Sequence, residues 1–166
     1  MAAFAERLRA AAVGACGLTP GETLVVAASG GLDSTVLLRS LASLGWPTVA
    51  VYVDHGLRAA SREEAAFVEA LADELGVPCE GVPAPVPDGN VQAEARAARY
   101  AALAAVADRH GAGAVVTGHT ATDQAETVLL NLVRGAGLKG LGGMAPVRPL
   151  APESDVRLAR PLLWAT

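Results

Sequence analysis

Short apolar runs alternate along this chain with longer segments in which apolar residues recur at helical spacing. The short runs predict buried strands, and the longer segments predict helices. The predicted strands cover residues 23–28, 48–53, 77–82 and 114–117. The predicted helices cover residues 3–16, 34–44, 61–75 and 90–110, with a last helix that is capped by Thr122 or Asp123 and runs to Val133.

This alternation predicts the α/β class, with a doubly wound, mostly parallel sheet and helices on both of its faces. Ligands of such sheets bind at the carboxyl ends of the strands. From Arg134 onward the chain is rich in glycine and proline and shows no clear period. We therefore expect one domain over residues 1–145 and a tail over 146–166. The apolar Leu162-Leu163-Trp164 end predicts that this tail leads toward a further C-terminal region.

Composition excludes several classes of protein. Hydrophobic residues make up 52% of the 166 positions and charged residues 18%, which excludes a disordered chain. The net charge of −4 and a single lysine, Lys139, argue against tight nucleic-acid binding by this chain alone. Cys16 and Cys79 lie far apart, so we expect no zinc or iron–sulfur site and a reducing, cytoplasmic location. No signal sequence or uncharged apolar run predicts a membrane segment.

The turn Ser29-Gly-Gly-Leu-Asp-Ser34 follows the first predicted strand and opens a helix. Its two glycines let backbone N–H groups approach an anion, and the helix start adds free donors and a positive dipole end. The hydroxyls of Ser29 and Ser34 can also donate to phosphate. The carboxylate of Asp33 would repel phosphate unless a cation such as Mg²⁺ bridged them. The alternative is an ordinary turn between a strand and a helix.

This turn resembles the SGGxDS loop of the N-type ATP pyrophosphatases, the PP-loop superfamily. Further stretches resemble, in order and spacing, the tRNA(Ile)-lysidine synthetase family, over nearly the whole chain. They are Val53-Asp-His-Gly-Leu-Arg58, Glu94-Ala-Arg96 with Arg99-Tyr100, Gly118-His-Thr-Ala-Thr-Asp-Gln-Ala-Glu-Thr127, Leu132-Val-Arg134-Gly-Ala-Gly137, Gly140-Leu-Gly-Gly-Met144 and Arg160-Pro-Leu-Leu163.

The resemblance implies a ligase that forms a carbon–nitrogen bond, with residues 1–145 as its ATP-pyrophosphatase catalytic domain. ATP adenylates the C2 carbonyl oxygen of the wobble cytidine in a CAU-anticodon isoleucine tRNA and releases pyrophosphate. The ε-amine of free lysine then attacks C2 and expels AMP, which leaves lysidine. The implied cofactors are ATP and Mg²⁺, the implied partners are that tRNA and lysine, and a homodimer is possible.

The resemblance also implies roles for individual residues. The implied nucleotide-binding residues are Ser29, Gly30, Gly31, Leu32, Asp33, Ser34, Asp54 and His55. The implied catalytic residues are Asp33, His119, Asp123 and Glu126, of which Asp33 and Asp123 would hold the metal. The implied tRNA contacts are Arg96, Arg99 and Arg134. Thr122 departs from the family pattern, in which many members carry an aspartate there.

Structural roles stay open for the same residues. Asp54 and His55, and likewise His119, could be polar residues of ordinary strand-end turns, and Arg96 and Arg99 could form a solvated helix face. Two other functions also stay open. A tRNA thiolase of the same superfamily would generally need paired cysteines, and this chain lacks them. A non-catalytic adenine-nucleotide-binding module would bind ATP without releasing pyrophosphate.

Overall fold

The computed structural model describes residues 2–54, 60–84, 91–137, 141–152 and 154–166, without the side chains of 60, 61 and 91–93. The helices in this part are α1 (Ala2–Ala10), which continues as a π-helical turn (Ala11–Ala15), α2 (Leu32–Ser43), α3 (Ala60–Leu75), α4 (Val91–His110) and α5 (Ala121–Val133). The strands are β1 (Leu24–Ala27), β2 (Thr48–Asp54), β3 (Cys79–Pro83), β4 (Ala114–Thr117), β5 (Val147–Pro149) and β6 (Arg157–Ala159).

The six strands form one sheet in the order β3-β2-β1-β4-β6-β5. All neighbouring pairs are parallel except β5 and β6, which are antiparallel. The chain runs outward from β1 through β2 to β3 and then returns to place β4 on the other side of β1. The order of the strands therefore reverses between β1 and β4, which is where doubly wound sheets bind ligands.

Helices cover both faces of the sheet, as the sequence predicted. On one face, Val26 of β1 and Val116 of β4 pack with residues of α1, α2 and α3, among them Leu38 of α2. On the other face, Val25 and Val115 pack against α4. Because alternate residues of each central strand point to opposite faces, both sets must be apolar, which explains the continuous hydrophobic runs.

The structure confirms the four predicted strands and the five helices, with shifts of a few residues at their ends. The cap of α5 was predicted wrongly, because its N-cap is Thr120 rather than Thr122 or Asp123. Asp123 instead occupies the third position of the helix and accepts a hydrogen bond from the backbone N of Thr120 at 2.7 Å. The proposed cap of α4, Asn90, and the strand-end residue His55 lie outside the described residues.

Strands β5 and β6 were not predicted. Each has only three residues, which is too short to show a period. They nevertheless join the tail to the sheet, because β6 pairs with β4 through the register of Val116 with Ala159. Leu162 is also buried in the core, so the apolar Leu162-Leu163-Trp164 segment is at least partly covered by the domain itself. The expectation that the chain leads onward to a further region stays a prediction.

None of the helices in the described part of the chain has the length and apolar composition that a membrane span requires. Helix α5 is amphipathic but contains no fully buried residue. Its exposed apolar side chains are Leu129, Leu130, Leu132 and Val133.

The packing of β6 predicts that residues 157–162 stabilise the whole domain. Leu158 is fully buried against α4, so Leu158→Ala should lower the free energy of unfolding by about 2–5 kcal/mol through the lost contacts and the cavity left behind. Leu132→Ala is the matched control, because Leu132 is 57% exposed. Urea denaturation of the two variants tests this, and equal midpoints would contradict the assignment of β6 to the core.

Candidate functional site

A cavity of about 560 Å³ opens at the carboxyl ends of β1, β2 and β4. Its lining comes from seven strands and helices and the loops that follow them, and it includes several of the residues that the sequence singled out. The lining residues are Ala27, Ala28, Ser29, Gly31, Leu32, Asp33, Ser34, Val51, Tyr52, Val53, Glu64, Arg99, Thr117, Gly118, His119 and Asp123. The cavity therefore lies at the topological switch point, where this class of sheet places its ligands.

Hydrogen bonds inside the Ser29–Ser34 loop set its shape. The hydroxyl of Ser34 donates to the carbonyl of Gly31 at 2.9 Å and accepts from the backbone N of Ser29 at 3.2 Å. Ser34 is buried, whereas Ser29, Gly31 and Asp33 are exposed. Ser34 therefore holds the loop in place, and Ser29 is the serine whose hydroxyl faces solvent at the cavity.

Gly30 is the position of this loop that requires glycine. Its φ of +78° lies in the left-handed region, and a Cβ there would stand 3.3 Å from the Cβ of Glu64 on α3. The turn can therefore pass close under α3 only without a side chain. The first turn of α2, whose backbone N–H groups have no partner within the helix, then points toward the cavity.

Gly118, directly after β4, makes the closest backbone contact of the site. A Cβ at this position would lie 3.0 Å from the backbone C of Asp33 and 3.0 Å from the backbone N of Ser34. The end of β4 and the start of α2 can approach this closely only because residue 118 has no side chain. This contact fixes the distance between the Ser29–Ser34 loop and the residues that follow β4.

His119 and Asp123 lie on the β4 side of the cavity. The Nδ1 of His119 shares a hydrogen bond with the hydroxyl of Thr117 at 2.8 Å. The carboxylate of Asp123 accepts from the backbone N and the hydroxyl of Thr120 through its Oδ2 atom. Its Oδ1 atom takes part in none of these bonds and is left for a ligand.

Burial and the positive charge of Arg160 together lower the pKa of His119 to about 4, although the charge of Asp123 opposes the change. The imidazole is therefore neutral at physiological pH. It contributes hydrogen bonding rather than a positive charge to the cavity.

The structure brings some of the predicted residues together and leaves others outside. Asp33, His119, Asp123 and Arg99 line the cavity with the loop. Gly30 belongs to the loop and Arg96 lies near Arg99 on α4, but neither of them lines the cavity. The other predicted site residues of the described ranges that do not line it are Asp54, Glu126 and Arg134. Both Glu126 and Arg134 are exposed, on α5 and at its C-cap, so their roles stay predictions.

Three residues that sequence reasoning did not assign contribute to the site: Gly118, Glu64 and Thr117. A glycine directly after a strand is a recognised sign of close backbone approach, so Gly118 could have been identified. The positions of Glu64 and Thr117 follow only from the packing of α3 and β4.

A family model for the PP-loop domain matches residues 4–166. The chain belongs to the PP-loop family. The match covers the Ser29–Ser34 loop and continues through β6, which agrees with a single sheet. This confirms the superfamily that the sequence motif indicated.

Among curated proteins, the PP-loop chain is similar to tRNA(Ile)-lysidine synthases. It is 45% identical over 148 residues to that of Novosphingobium aromaticivorans, which covers 88% of this chain and 45% of the relative. It is 49% identical over 137 residues to that of Streptomyces coelicolor, which covers 79% of this chain and 39% of the relative. The chain thus spans less than half the length of these relatives.

Among solved structures, the fold is similar to a U34-tRNA thiolase from Methanococcus maripaludis that was solved with its [4Fe-4S] cluster. The TM-score is 0.74, the sequence identity is 19%, and the match covers 98% of this chain and 60% of that one. At this identity the likeness confirms the mostly parallel α/β fold and carries nothing further.

The contact at Gly118 predicts that Gly118→Ala displaces the Ser29–Ser34 loop. The added Cβ meets backbone atoms, which cannot rotate away, so we expect a loss of about 1–3 kcal/mol in unfolding free energy and weaker nucleotide binding. Gly81→Ala in β3 is the matched control, because a Cβ there meets nothing within 4 Å. Urea denaturation and calorimetric ATP titration test this, and a fully stable variant with unchanged affinity would contradict it.

The depressed pKa of His119 predicts that acid destabilises the domain. The unfolded chain takes up this proton below about pH 6.5, whereas the folded chain does so only near pH 4. Stability is therefore present above pH 6.5 and falls as the pH drops toward 4. We expect His119 to account for roughly 1 kcal/mol between pH 7.5 and 5, allowing for solvent screening. His119→Asn should lose that pH dependence in urea denaturation, and His110→Asn should keep it.

Proposed function

We propose that this PP-loop domain is the catalytic domain of a tRNA(Ile)-lysidine synthetase. It adenylates the wobble cytidine of a CAU-anticodon isoleucine tRNA with ATP and joins lysine to it. The observation that carries this proposal is the arrangement of one cavity between the Ser29–Ser34 loop and the pair His119 and Asp123. The similarity to curated lysidine synthases over most of the chain supports the choice of substrate.

The cavity offers separate surfaces for the two parts of ATP. Backbone N–H groups of the loop and of the first turn of α2 face the phosphates, where the helix dipole favours negative charge. The wall at the end of β2 is mostly apolar and is formed by Val51, Tyr52 and Val53. This wall lies where a flat adenine ring can rest over the ends of β1 and β2.

The residues present fit a Mg²⁺ ion that arrives with the nucleotide. No group of three metal-ligating side chains exists in the described ranges, so a preformed protein cage is not part of the proposal. Mg²⁺ usually takes one or two carboxylates together with phosphate oxygens and water. Asp33 and Asp123 line the same cavity and supply that pair. When bound, the ion would neutralise charge on the phosphates.

The reaction needs two displacements in one cavity. The C2 carbonyl oxygen of cytidine attacks the α-phosphorus, and the bond to the β-phosphate breaks to release pyrophosphate. The lysine amine then attacks C2, AMP leaves with the oxygen, and the amine loses a proton. The Nδ1 of His119 is already hydrogen-bonded to Thr117, which orients the ring. The other ring nitrogen of the neutral imidazole, Nε2, can then orient either nucleophile by a hydrogen bond. The carboxylate of Asp123 can hold the lysine amine nearby.

Recognition of the tRNA belongs to the same proposal. The net charge is −4, so this chain relies on a few placed arginines rather than on a basic surface. Arg99 lines the cavity, and Arg96 lies beside it on α4. Arg134 is exposed and could contact phosphate farther out. A second copy of the chain and a cytoplasmic location remain predictions.

The two alternatives find less support. Cys16 is buried and its thiol donates to the carbonyl of Pro146, and Cys79 lies on β3. Neither lines the cavity, so neither can hand sulfur to a substrate there. A non-catalytic nucleotide-binding module would not require Asp33 and Asp123 beside the phosphates.

Lysine-dependent labelling tests the proposal directly. The protein should join radiolabelled lysine to an unmodified CAU-anticodon tRNA and release one pyrophosphate per lysine. Asp33→Asn should reduce both by at least about 100-fold, because Asp33 is exposed and acts on the reacting phosphates rather than on the fold.

Asp73→Asn is the matched control, since Asp73 is an exposed carboxylate on α3 outside the cavity. Both variants should keep the melting temperature of the unaltered protein. Pyrophosphate release without lysine transfer would point to another PP-loop ligase. ATP binding without pyrophosphate release would point to a non-catalytic module.

A further inference from the structure

Four arginines surround Tyr100, three of them over its buried ring, and one of these, Arg99, lines the cavity. The guanidinium carbons of Arg96, Arg99 and Arg148 lie 5.2, 5.4 and 5.1 Å from the ring centroid. The fourth, Arg160, follows β6 directly and interacts electrostatically with Tyr100. Two of these residues come from α4, one from β5 and one from the end of β6, so the cluster exists only in the folded chain.

Arg160 is unusual because it is only 2% exposed. Its Nη1 donates to the carbonyl of Ala145 at 2.8 Å, but its Nε is buried without a hydrogen-bond partner. The hydroxyl of Tyr100 is buried as well, and the guanidiniums of Arg148 and Arg160 interact with it. Leaving the Nε of Arg160 unpaired in the folded interior costs free energy, so an acceptor that reached it would relieve that cost.

No carboxylate of the described residues forms an ion pair with any of the four arginines. The ion pairs of the described ranges involve other arginines, Arg39, Arg109 and Arg157, and none of the four around Tyr100. Burial raises the pKa of Tyr100, yet the guanidiniums of Arg96 and Arg99 outweigh this and leave that pKa below its ordinary value. The local potential is therefore strongly positive, although the chain as a whole is acidic.

We propose that Arg96, Arg99, Arg148 and Arg160 form a binding site for a phosphoryl oxyanion at the α4 side of the cavity. Guanidinium groups present paired N–H donors that match phosphate geometry, and several together favour a multiply charged oxyanion over a single carboxylate. Tyr100 supports Arg96, Arg99 and Arg148 through its ring, and Arg160 interacts with it electrostatically.

The position of the cluster deepens the proposed function. Arg99 lines the same cavity as the Ser29–Ser34 loop, and His119, which also lines it, interacts electrostatically with both Arg160 and Arg99. An oxyanion held by Arg99 would therefore lie in the cavity that the phosphate loop also lines. Two sources of that chemistry are available to this protein: the pyrophosphate part of the nucleotide, and a backbone phosphate of the RNA substrate.

Binding measurements on the whole chain test the site without any turnover. The probes are inorganic pyrophosphate and a short single-stranded RNA, each titrated by calorimetry. Arg148→Gln and Arg96→Gln should each weaken binding of one probe by about tenfold, the value of one charge-assisted hydrogen bond. Arg39→Gln is the matched control, because it removes one exposed arginine of α2 that pairs with Glu74, and it should change either affinity less than twofold.

The outcomes separate the two sources. Loss of pyrophosphate affinity assigns the site to the nucleotide, and loss of RNA affinity alone assigns it to the RNA backbone. Unchanged affinities for both probes in both variants, or no measurable binding of either probe to the unaltered protein, would overturn the proposal. Arg96 is exposed, so Arg96→Gln decides the matter if Arg148→Gln fails to fold.

A local signal distinguishes this site from the phosphate loop. In a ¹⁵N-labelled sample, the Nε–H resonance of Arg160 should shift on addition of the bound probe, because that group has no partner in the free protein. A shift confined to residues 29–34 would overturn the proposal. Neither result depends on lysine transfer, so the failure of this proposal can be told apart from the failure of the proposed function.

Discussion

The contact between Gly118 and the start of α2 is the constraint on which the site depends. Two backbone segments meet there at a distance that leaves no room for a Cβ. One segment carries the loop that can cradle phosphate, and the other carries His119 and leads to Asp123. Because the two backbones are already in contact, this packing sets how closely the two halves of the cavity approach each other. Rigid placement of this kind is what a reaction with two successive nucleophiles requires.

The cavity is lined by electropositive and acidic groups together. The backbone donors of the loop and the guanidinium of Arg99 supply the positive potential. His119 stays neutral because burial and Arg160 lower its pKa. A neutral imidazole avoids adding a further positive charge to a lining whose acidic groups are Asp33, Glu64 and Asp123.

Sequence reasoning predicted the central sheet because its strands are buried on both faces and so appear as continuous apolar runs. It missed β5 and β6, in which three-residue strands carry Arg148 and Arg157 and give no period. It misplaced the cap of α5 because Thr120 and Thr122 can both cap a helix. The structure places the cap at Thr120, next to the C-terminal end of the same chain, where the backbone N of Ala121 donates to the carbonyl of Ala165 at 2.8 Å.

The same reasoning found the loop side of the site and, of the four arginines, assigned Arg96 and Arg99 but not Arg148 and Arg160. The loop is one continuous stretch of sequence, so its glycines and serines form a single short motif that by itself predicts phosphate binding. The arginine cluster draws on residues up to 64 positions apart, from Arg96 to Arg160, and it depends on the pairing of β6 with β4. A buried arginine without a carboxylate is unstable on its own account. The anion proposed for this cluster would account for the retention of Arg160 in the interior, which is a statement about function that no local pattern contains.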